Sequence, residues 1–187
     1  MLSRWQLPRQ VSFGEKAYPF HGDFRDILEI IAYLDDPALP EFIRWQIALR
    51  LFYREPIPGE HQNQAMEYLA RFLTGGVEET GRPGPKRLDW QQDADLIVAD
   101  VNRVAGQEIR ALPFVHWWTF LSWFHGIGDG QVATLVRLRE ALAKGRKLED
   151  WEKEYYRLNR RRVELKKQYT PQELAQRKKL EKLLDGG

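Results

Sequence analysis

The most constraining feature of the sequence is the spacing of its apolar residues, which recur at intervals of three and four along most of the chain. This spacing aligns them on one helix face, because an α-helix has about 3.6 residues per turn. Such stripes run through residues 24–34, 42–52, 65–73, 97–104, 132–142 and 148–165. The sequence therefore predicts a mainly α fold.

Residues 10–20 follow a different pattern, in which apolar and polar residues alternate on both sides of Gly14-Glu15-Lys16. Alternation around such a turn is typical of a short β-hairpin. A single hairpin is not stable alone, so we expect it to pack against the helices that follow. The predicted architecture is a small N-terminal β-hairpin followed by a helical bundle with a long basic C-terminal helix or helical hairpin.

Residues 74–88 are the best linker candidate, because they contain six glycines and prolines and almost no large apolar side chain. This divides the chain into an N-terminal hairpin with helices at 1–73, the flexible linker at 74–88, an aromatic-centred helical part at 89–146 and a basic helical extension at 147–187. Thr170-Pro171-Gln172-Glu173 matches a capping box and predicts a last helix at 171–184.

Composition excludes several classes of protein. The 187 residues include no cysteine, which excludes a disulfide scaffold and thiolate metal sites and fits a reducing cytoplasm. The most apolar segment is far shorter than the roughly 20 residues of a membrane span, and the first residues lack the pattern of a secretory signal. We expect a folded protein with no membrane partner.

The titratable residues form no catalytic or metal-binding motif. His116 and His125 are nine residues apart, which places them on opposite faces of a helix. The aspartates between positions 89 and 100 lack the glycine and distal glutamate of a calcium loop. We interpret Asp93 as a helix cap and the others, including Asp100, as surface acids. We expect no catalytic residue, no cofactor and no metal, and hence no enzyme.

The most distinctive segment is Leu112–Phe124, which has six aromatic residues between positions 114 and 124. With Pro113 in the first turn, it predicts a helix that is apolar on nearly all sides. A core helix is the first interpretation, because buried aromatic residues mostly serve packing, and a partner-binding surface is the alternative. The partner-binding residues predicted under that alternative are Trp117, Trp118, Phe120 and Trp123, followed by Arg137 and Arg139.

Positive charge is concentrated near the C-terminal end. Residues 137–187 contain 16 Lys/Arg and 9 Asp/Glu, whereas residues 1–136 contain 13 and 18. Clusters such as Arg160–Arg162 could contact phosphates, and nearby tyrosines could stack on bases. Glutamates are interleaved in the same stretch, so a solvated helix face is the first interpretation and a nucleic-acid partner is less favoured.

Several segments in a fixed order resemble the bacteriophage "gene product fifteen" proteins of tailed phages and prophages. The N-terminal part is similar to the family's opening hairpin and helix at Val11–Phe20 and Asp23–Leu28. The more specific similarity lies in the second half. It comprises an acid-rich helix start, a Trp-centred helix and an arginine-bearing helix, here Asp93–Ile97 with Val101–Val104, Leu112–Phe124, and Leu135–Arg139.

The resemblance implies a non-catalytic tail assembly chaperone that coats the tape-measure protein in the bacterial host cytoplasm. The tail-tube protein is a second candidate partner, and a homo-oligomer is left open. Two alternatives also stay open. In the first, the protein is a structural tail or head–tail component of the virion. In the second, it is a nucleic-acid-binding module that uses its basic C-terminal helices, and its binding to DNA should depend steeply on salt.

Overall fold

The computed structural model describes residues 5–77, 86–167 and 169–176. The mainly α fold with a two-stranded hairpin is confirmed. The strands are β1 Gln10–Phe13 and β2 Lys16–Pro19, and the helices are α1 Phe24–Leu34, α2 Glu41–Phe52, α3 Gln62–Leu73, α4 Ala94–Ala105, α5 Trp117–His125, α6 Gln131–Ala143 and α7 Asp150–Val163. Short 3-10 turns at Gly59–His61 and Ile109–Ala111 precede α3 and α5.

The hairpin forms where the alternation predicts it. Gln10 pairs with Pro19 and Phe13 with Lys16, and Gly14 takes the positive φ of 61° that the tight turn requires. Phe13 and Tyr18 point inwards and are buried. The Phe13 ring lies 6.1 Å from that of Tyr53, which follows α2, so the hairpin is held by packing on the helices.

Helices α1, α2 and α3 form the aromatic half of the core. The buried face of α1 follows the predicted stripe through Ile27 and Ile30. Phe20, Phe52 and Phe72 come together from the hairpin, α2 and α3, with ring centroids 4.6 to 5.1 Å apart. Phe42 was expected on the buried face of α2 but is exposed in its first turn, because the helix begins at Glu41 beyond the covered part of the core.

Helix α5 begins at Trp117, so the prediction of a helix from Pro113 is wrong. Residues before it are extended, because Val115 accepts a hydrogen bond from Phe24 N–H at 2.9 Å and Trp117 N–H donates to Gly22 at 2.8 Å. This pairing with the chain before α1 prevents residues 113–116 from turning into helix. His116 then caps α5, since its Nδ1 accepts from the Trp118 N–H.

Helix α4 ends at Gly106, which has a left-handed φ of 69°. Asp100, in α4, was expected at the surface but is buried, because its Oδ2 accepts a 2.9 Å hydrogen bond from Val132 N–H in the first turn of α6. The N-cap residue of α6 is Gly130, which has no side chain, so the Asp100 contact takes the place of a side-chain cap. Helices α4 and α6 are therefore joined by a buried carboxylate.

The C-terminal part is helical within the described residues. In α7, Asn159 has non-helical backbone angles, so the helix is interrupted one turn before its end. Residues 171–176 are helical, and the predicted capping box is confirmed, with Glu173 N–H donating to Thr170 Oγ1 and Thr170 N–H to Glu173 Oε2. Residues 177–184 of the predicted last helix lie outside the described residues.

A contiguous cluster of buried apolar residues reaches from Phe13 in the hairpin to Val163 at the end of α7. Leu96, Ile97 and Val101 on one face of α4 pack into it. The predicted division of the chain at 74–88 stays a prediction, since residues 78–85 lie outside the described ranges.

Candidate functional site

Three of the six predicted partner-binding residues lie in the core. Trp117 and Phe120 are each 1% exposed and Trp118 is 9% exposed. The indole N–H of Trp117 donates to the Leu73 carbonyl at 3.0 Å, and that of Trp118 donates to the Phe72 carbonyl at 2.9 Å. Both indoles thus satisfy carbonyls at the end of α3, which explains why an aromatic helix occupies this position.

The other three predicted residues differ in exposure. Trp123 is half-buried on α5, and Arg137 is exposed on α6 with its nearest carboxylate, that of Asp129, 3.7 Å away. Arg139, two residues along the same helix, is buried. Of the six side chains, Trp123 and Arg137 present surface that a partner could reach in this conformation.

Arg139 is the centre of a buried set of polar contacts. Its Nη2 donates to Asp93 Oδ1 at 2.8 Å and its Nη1 donates to Asp93 Oδ2, forming a bidentate pair. The remaining N–H groups donate to the carbonyls of Val163, Arg87 and Arg162 at 2.8 to 3.0 Å. All five guanidinium donors are therefore satisfied, which is what a buried arginine requires.

Asp93 occupies the N-cap position of α4, as the sequence predicts, but its side chain makes no capping hydrogen bond there. It accepts instead from Arg139 and from the Asp89 N–H at 2.9 Å. Gln92 adds to the same joint, because its amide donates to Glu164 O and accepts from Lys166 N–H. The start of α4 therefore holds the end of α7.

A second buried carboxylate organises the opposite side of the molecule. Asp23 caps α1, with Oδ1 accepting from Arg25 N–H at 3.0 Å, and its Oδ2 accepts from Val115 N–H at 2.9 Å. Nη1 of Arg25 donates to both oxygens of the same carboxylate, and its Nη2 donates to Leu112 O at 2.6 Å. This ties the start of α1 to the segment before α5.

The surface beside this contact contains a groove of about 760 Å³ between α1 and α4. Apolar side chains from both helices line it, namely Phe24, Leu28, Ala32, Tyr33 and Val98. Leu28, Ala32 and Val98 are half-buried, so their outer atoms form an apolar floor that water reaches. Exposed apolar surface in a concave site is typical of a binding surface for another molecule.

The rim of the groove is charged. Its polar lining consists of Arg25, Glu29, Asp36, Gln91 and Arg110. Both arginines are engaged, Arg25 by Asp23 and Arg110 by Glu108, whose pKa the Arg110 hydrogen bonds lower to about 2. Glu29 and Asp36 form no ion pair with a described residue. The uncompensated charge on the rim is therefore negative and lies on α1 and just beyond its end.

Sequence reasoning did not find this groove. Leu28 belongs to the apolar stripe predicted for α1, but nothing in the stripe indicates which of its members stay exposed. The wall formed by α4 is about 65 residues away in sequence, so the groove depends on tertiary packing that periodicity does not encode. The width of the apolar stripe on α1 was a usable signal for an exposed apolar surface. Ile27 and Leu28 are adjacent, which makes the stripe broader than a single neighbouring helix covers.

The described residues contain no cluster of histidine and carboxylate side chains that could hold a metal ion. In the same ranges, none of the helices combines the length and apolarity that crossing a bilayer demands.

Comparison with known proteins identifies a family. No curated protein and no solved structure matches the chain. A family model described as Bacteriophage Gp15 protein matches residues 4–165, which include the hairpin, both walls of the groove and the Arg139–Asp93 joint. The match covers well over half of the chain and agrees with the resemblance noted in the sequence. The protein therefore belongs to the Bacteriophage Gp15 family.

Proposed function

We propose that this protein acts without catalysis in phage tail morphogenesis, as a chaperone that binds the tape-measure protein in the host cytoplasm. Membership of the family supports a structural or morphogenesis role in a phage. The observation that supports binding to the tape-measure protein is the apolar groove between α1 and α4. The groove supports binding of a helical segment of another protein.

An amphipathic helix suits this groove better than an extended strand. Both walls are helices, so an incoming helix can pack its apolar face between them. The described residues include no long exposed strand edge that an extended peptide could join, since the sheet has only β1 and β2. A tape-measure chain is expected to be long and helix-prone, and its apolar faces would aggregate before the tube covers them.

The negative charge on the rim favours a partner helix that carries basic residues. Glu29 lies in α1 and Asp36 lies two residues beyond its end, and both line the groove. A bound helix with lysine or arginine beside its apolar face would neutralise them. Each such contact is small, but many copies along one tape-measure chain gain from multivalency.

The direct test combines a pull-down with analysis of particles. The tape-measure protein encoded beside this gene is co-expressed with the tagged protein, and purified phage particles are analysed by mass spectrometry. Co-purification together with absence from particles would support the chaperone. Stoichiometric presence in particles would instead make the protein a structural tail or head–tail component.

Substitutions in the groove make the test specific. Ala32→Arg places a long charged side chain across the floor while keeping helix propensity nearly unchanged. The matched control is Phe42→Arg, which adds the same charge at an exposed residue of α2 outside the groove. We expect Ala32→Arg to abolish co-purification and Phe42→Arg to retain it. Equal co-purification by both variants would exclude the groove as the binding site.

A further inference from the structure

Helix α7 has an exposed apolar pair on an otherwise charged surface. Trp151 is 51% exposed and Leu158 is 66% exposed. They are seven residues apart, so they lie on the same side of the helix two turns apart, before the interruption at Asn159. The Trp151 indole N–H donates to Glu149 Oε2 at 2.7 Å, which fixes the ring in its exposed position. Two such side chains on one face indicate a contact surface.

The charges along α7 are divided between its two halves. Residues 149–154 contain four carboxylates and one lysine, and residues 155–162 contain four arginines and no carboxylate. The first half of the helix is therefore acidic and the second half is basic, with the apolar pair spanning the boundary. A helix of this kind is complementary to a copy of itself that runs in the opposite direction.

The charged groups of this surface are available for new contacts. Arg161 and Arg162 form no ion pair with any residue that the structure describes. Asp150 pairs with Lys153 and Glu154 pairs with Arg157, each within one turn, but all four side chains are more than half exposed, and such pairs contribute little. Exchanging them for contacts to another molecule therefore costs little.

We propose that two copies of this protein associate through α7, with the two helices antiparallel and related by a twofold axis. In this arrangement Trp151 of one copy lies over Leu158 of the other, and Asp150 lies beside Arg161. Each contact occurs twice, as the symmetry of an isologous dimer requires. A parallel pair would place acidic half on acidic half, so charge selects the antiparallel orientation.

The same charge pattern disfavours a nucleic acid on this surface. Phosphates would be attracted to Arg160–Arg162 but repelled by Asp150 and Glu154 at the other end of the same face. The proposal depends on α7 alone and not on the groove between α1 and α4. Its failure and the failure of the proposed function are therefore independent.

Sedimentation equilibrium of the full chain over a range of concentrations tests the association. One helix per copy makes a small interface, so we expect a dissociation constant above about 1 µM. Leu158→Glu should weaken dimerisation at least about tenfold. The matched control, Phe42→Glu, replaces an equally exposed apolar residue on α2 and should leave it unchanged. A monomer at all concentrations, or equal effects of both variants, would overturn the proposal.

A charge exchange distinguishes the antiparallel dimer from non-specific association. Asp150→Arg makes residues 150 and 161 both basic, and Arg161→Glu makes them both acidic. We expect each variant to be monomeric alone, because like charges then face each other across the axis. An equimolar mixture should form the heterodimer, and its formation should weaken with added salt. Variants that dimerise alone, or a mixture that stays monomeric, would exclude this arrangement.

Discussion

The guanidinium of Arg139 and the carboxylate of Asp93 face each other in the interior, 46 residues apart in sequence, and form two charge-assisted hydrogen bonds. Asp93 is at the start of α4, and Arg139 lies in α6. Because Arg139 also donates to the last carbonyls of α7, three helices meet at one side chain. A buried pair of this kind contributes less through its own attraction than through the cost of breaking it.

Replacing Arg139 should therefore destabilise the protein strongly. Arg139→Met leaves the Asp93 carboxylate buried and unpaired, and we expect a loss of about 3–5 kcal/mol in the free energy of unfolding. Arg137→Met, on the exposed side of the same helix, should change it by less than about 0.5 kcal/mol. Urea unfolding measures both variants, and similar losses would contradict the assigned role of the pair.

Gly130 is expected to tolerate no larger residue. A Cβ atom there would lie 2.5 Å from Asp100 Oδ2 and 2.8 Å from a methyl carbon of Ile127. Gly130→Ala should therefore cost about 1–3 kcal/mol through overpacking at the start of α6. Gly59→Ala is the control, because no atom lies within 4 Å of its added Cβ. Thermal unfolding that ranks the two variants in the reverse order would refute the close approach of Asp100.

The stability of the protein should depend on the protonation of His116. Burial lowers the pKa of this imidazole below its usual value of 6.5, whereas the unfolded chain keeps that value. The unfolded state then binds the proton more readily, so stability should be constant above pH 6.5 and fall as the pH decreases below it. His116→Asn keeps an acceptor for the cap of α5 and removes the titration.

The measurement is the urea midpoint between about pH 5 and pH 8 for both proteins. Below pH 6.5 the urea midpoint should depend less steeply on pH in His116→Asn than in the unchanged protein. The difference between the two slopes is the contribution of this histidine. Identical slopes for the two proteins would show that His116 does not titrate between the folded and unfolded states in this range.

The aromatic helix should respond to substitutions according to burial. Trp117→Phe removes the indole N–H that satisfies the Leu73 carbonyl and leaves space in the core, so we expect a loss of at least about 2 kcal/mol. Trp123→Phe, at a half-buried residue, should cost less than about 1 kcal/mol. Equal losses in chemical denaturation would mean that Trp123 is also a core residue.

Local features of the fold could be predicted from the sequence because they depend on neighbours in the chain. The alternation around Gly14 predicted the hairpin, and the Thr170–Glu173 box marked the start of a helix correctly. The resemblance to a phage family was also confirmed. In each case the determining contacts lie within a few residues of one another.

Features that depend on contacts between distant segments could not be predicted in this way. Asp100 looked like a surface acid because its partner, the Val132 N–H, is 32 residues away. Pro113 looked like a helix start because the pairing of residues 115–117 with the chain before α1 is not visible in a local pattern. The groove between α1 and α4 and the burial of Arg139 also depend on contacts between distant segments, so they could not be predicted either.

The polar joint at the end of α7 has a consequence for how this protein can change during evolution. Arg139 and Gln92 contact this segment through main-chain groups, namely the carbonyls of residues 162–164 and the N–H of Lys166. Main-chain groups are present whatever the side chains are. These hydrogen bonds therefore do not depend on which side chains residues 162–166 carry. The outer surface of α7 is free to change in sequence, for instance to match a different partner, while the contacts that hold its end in place are kept.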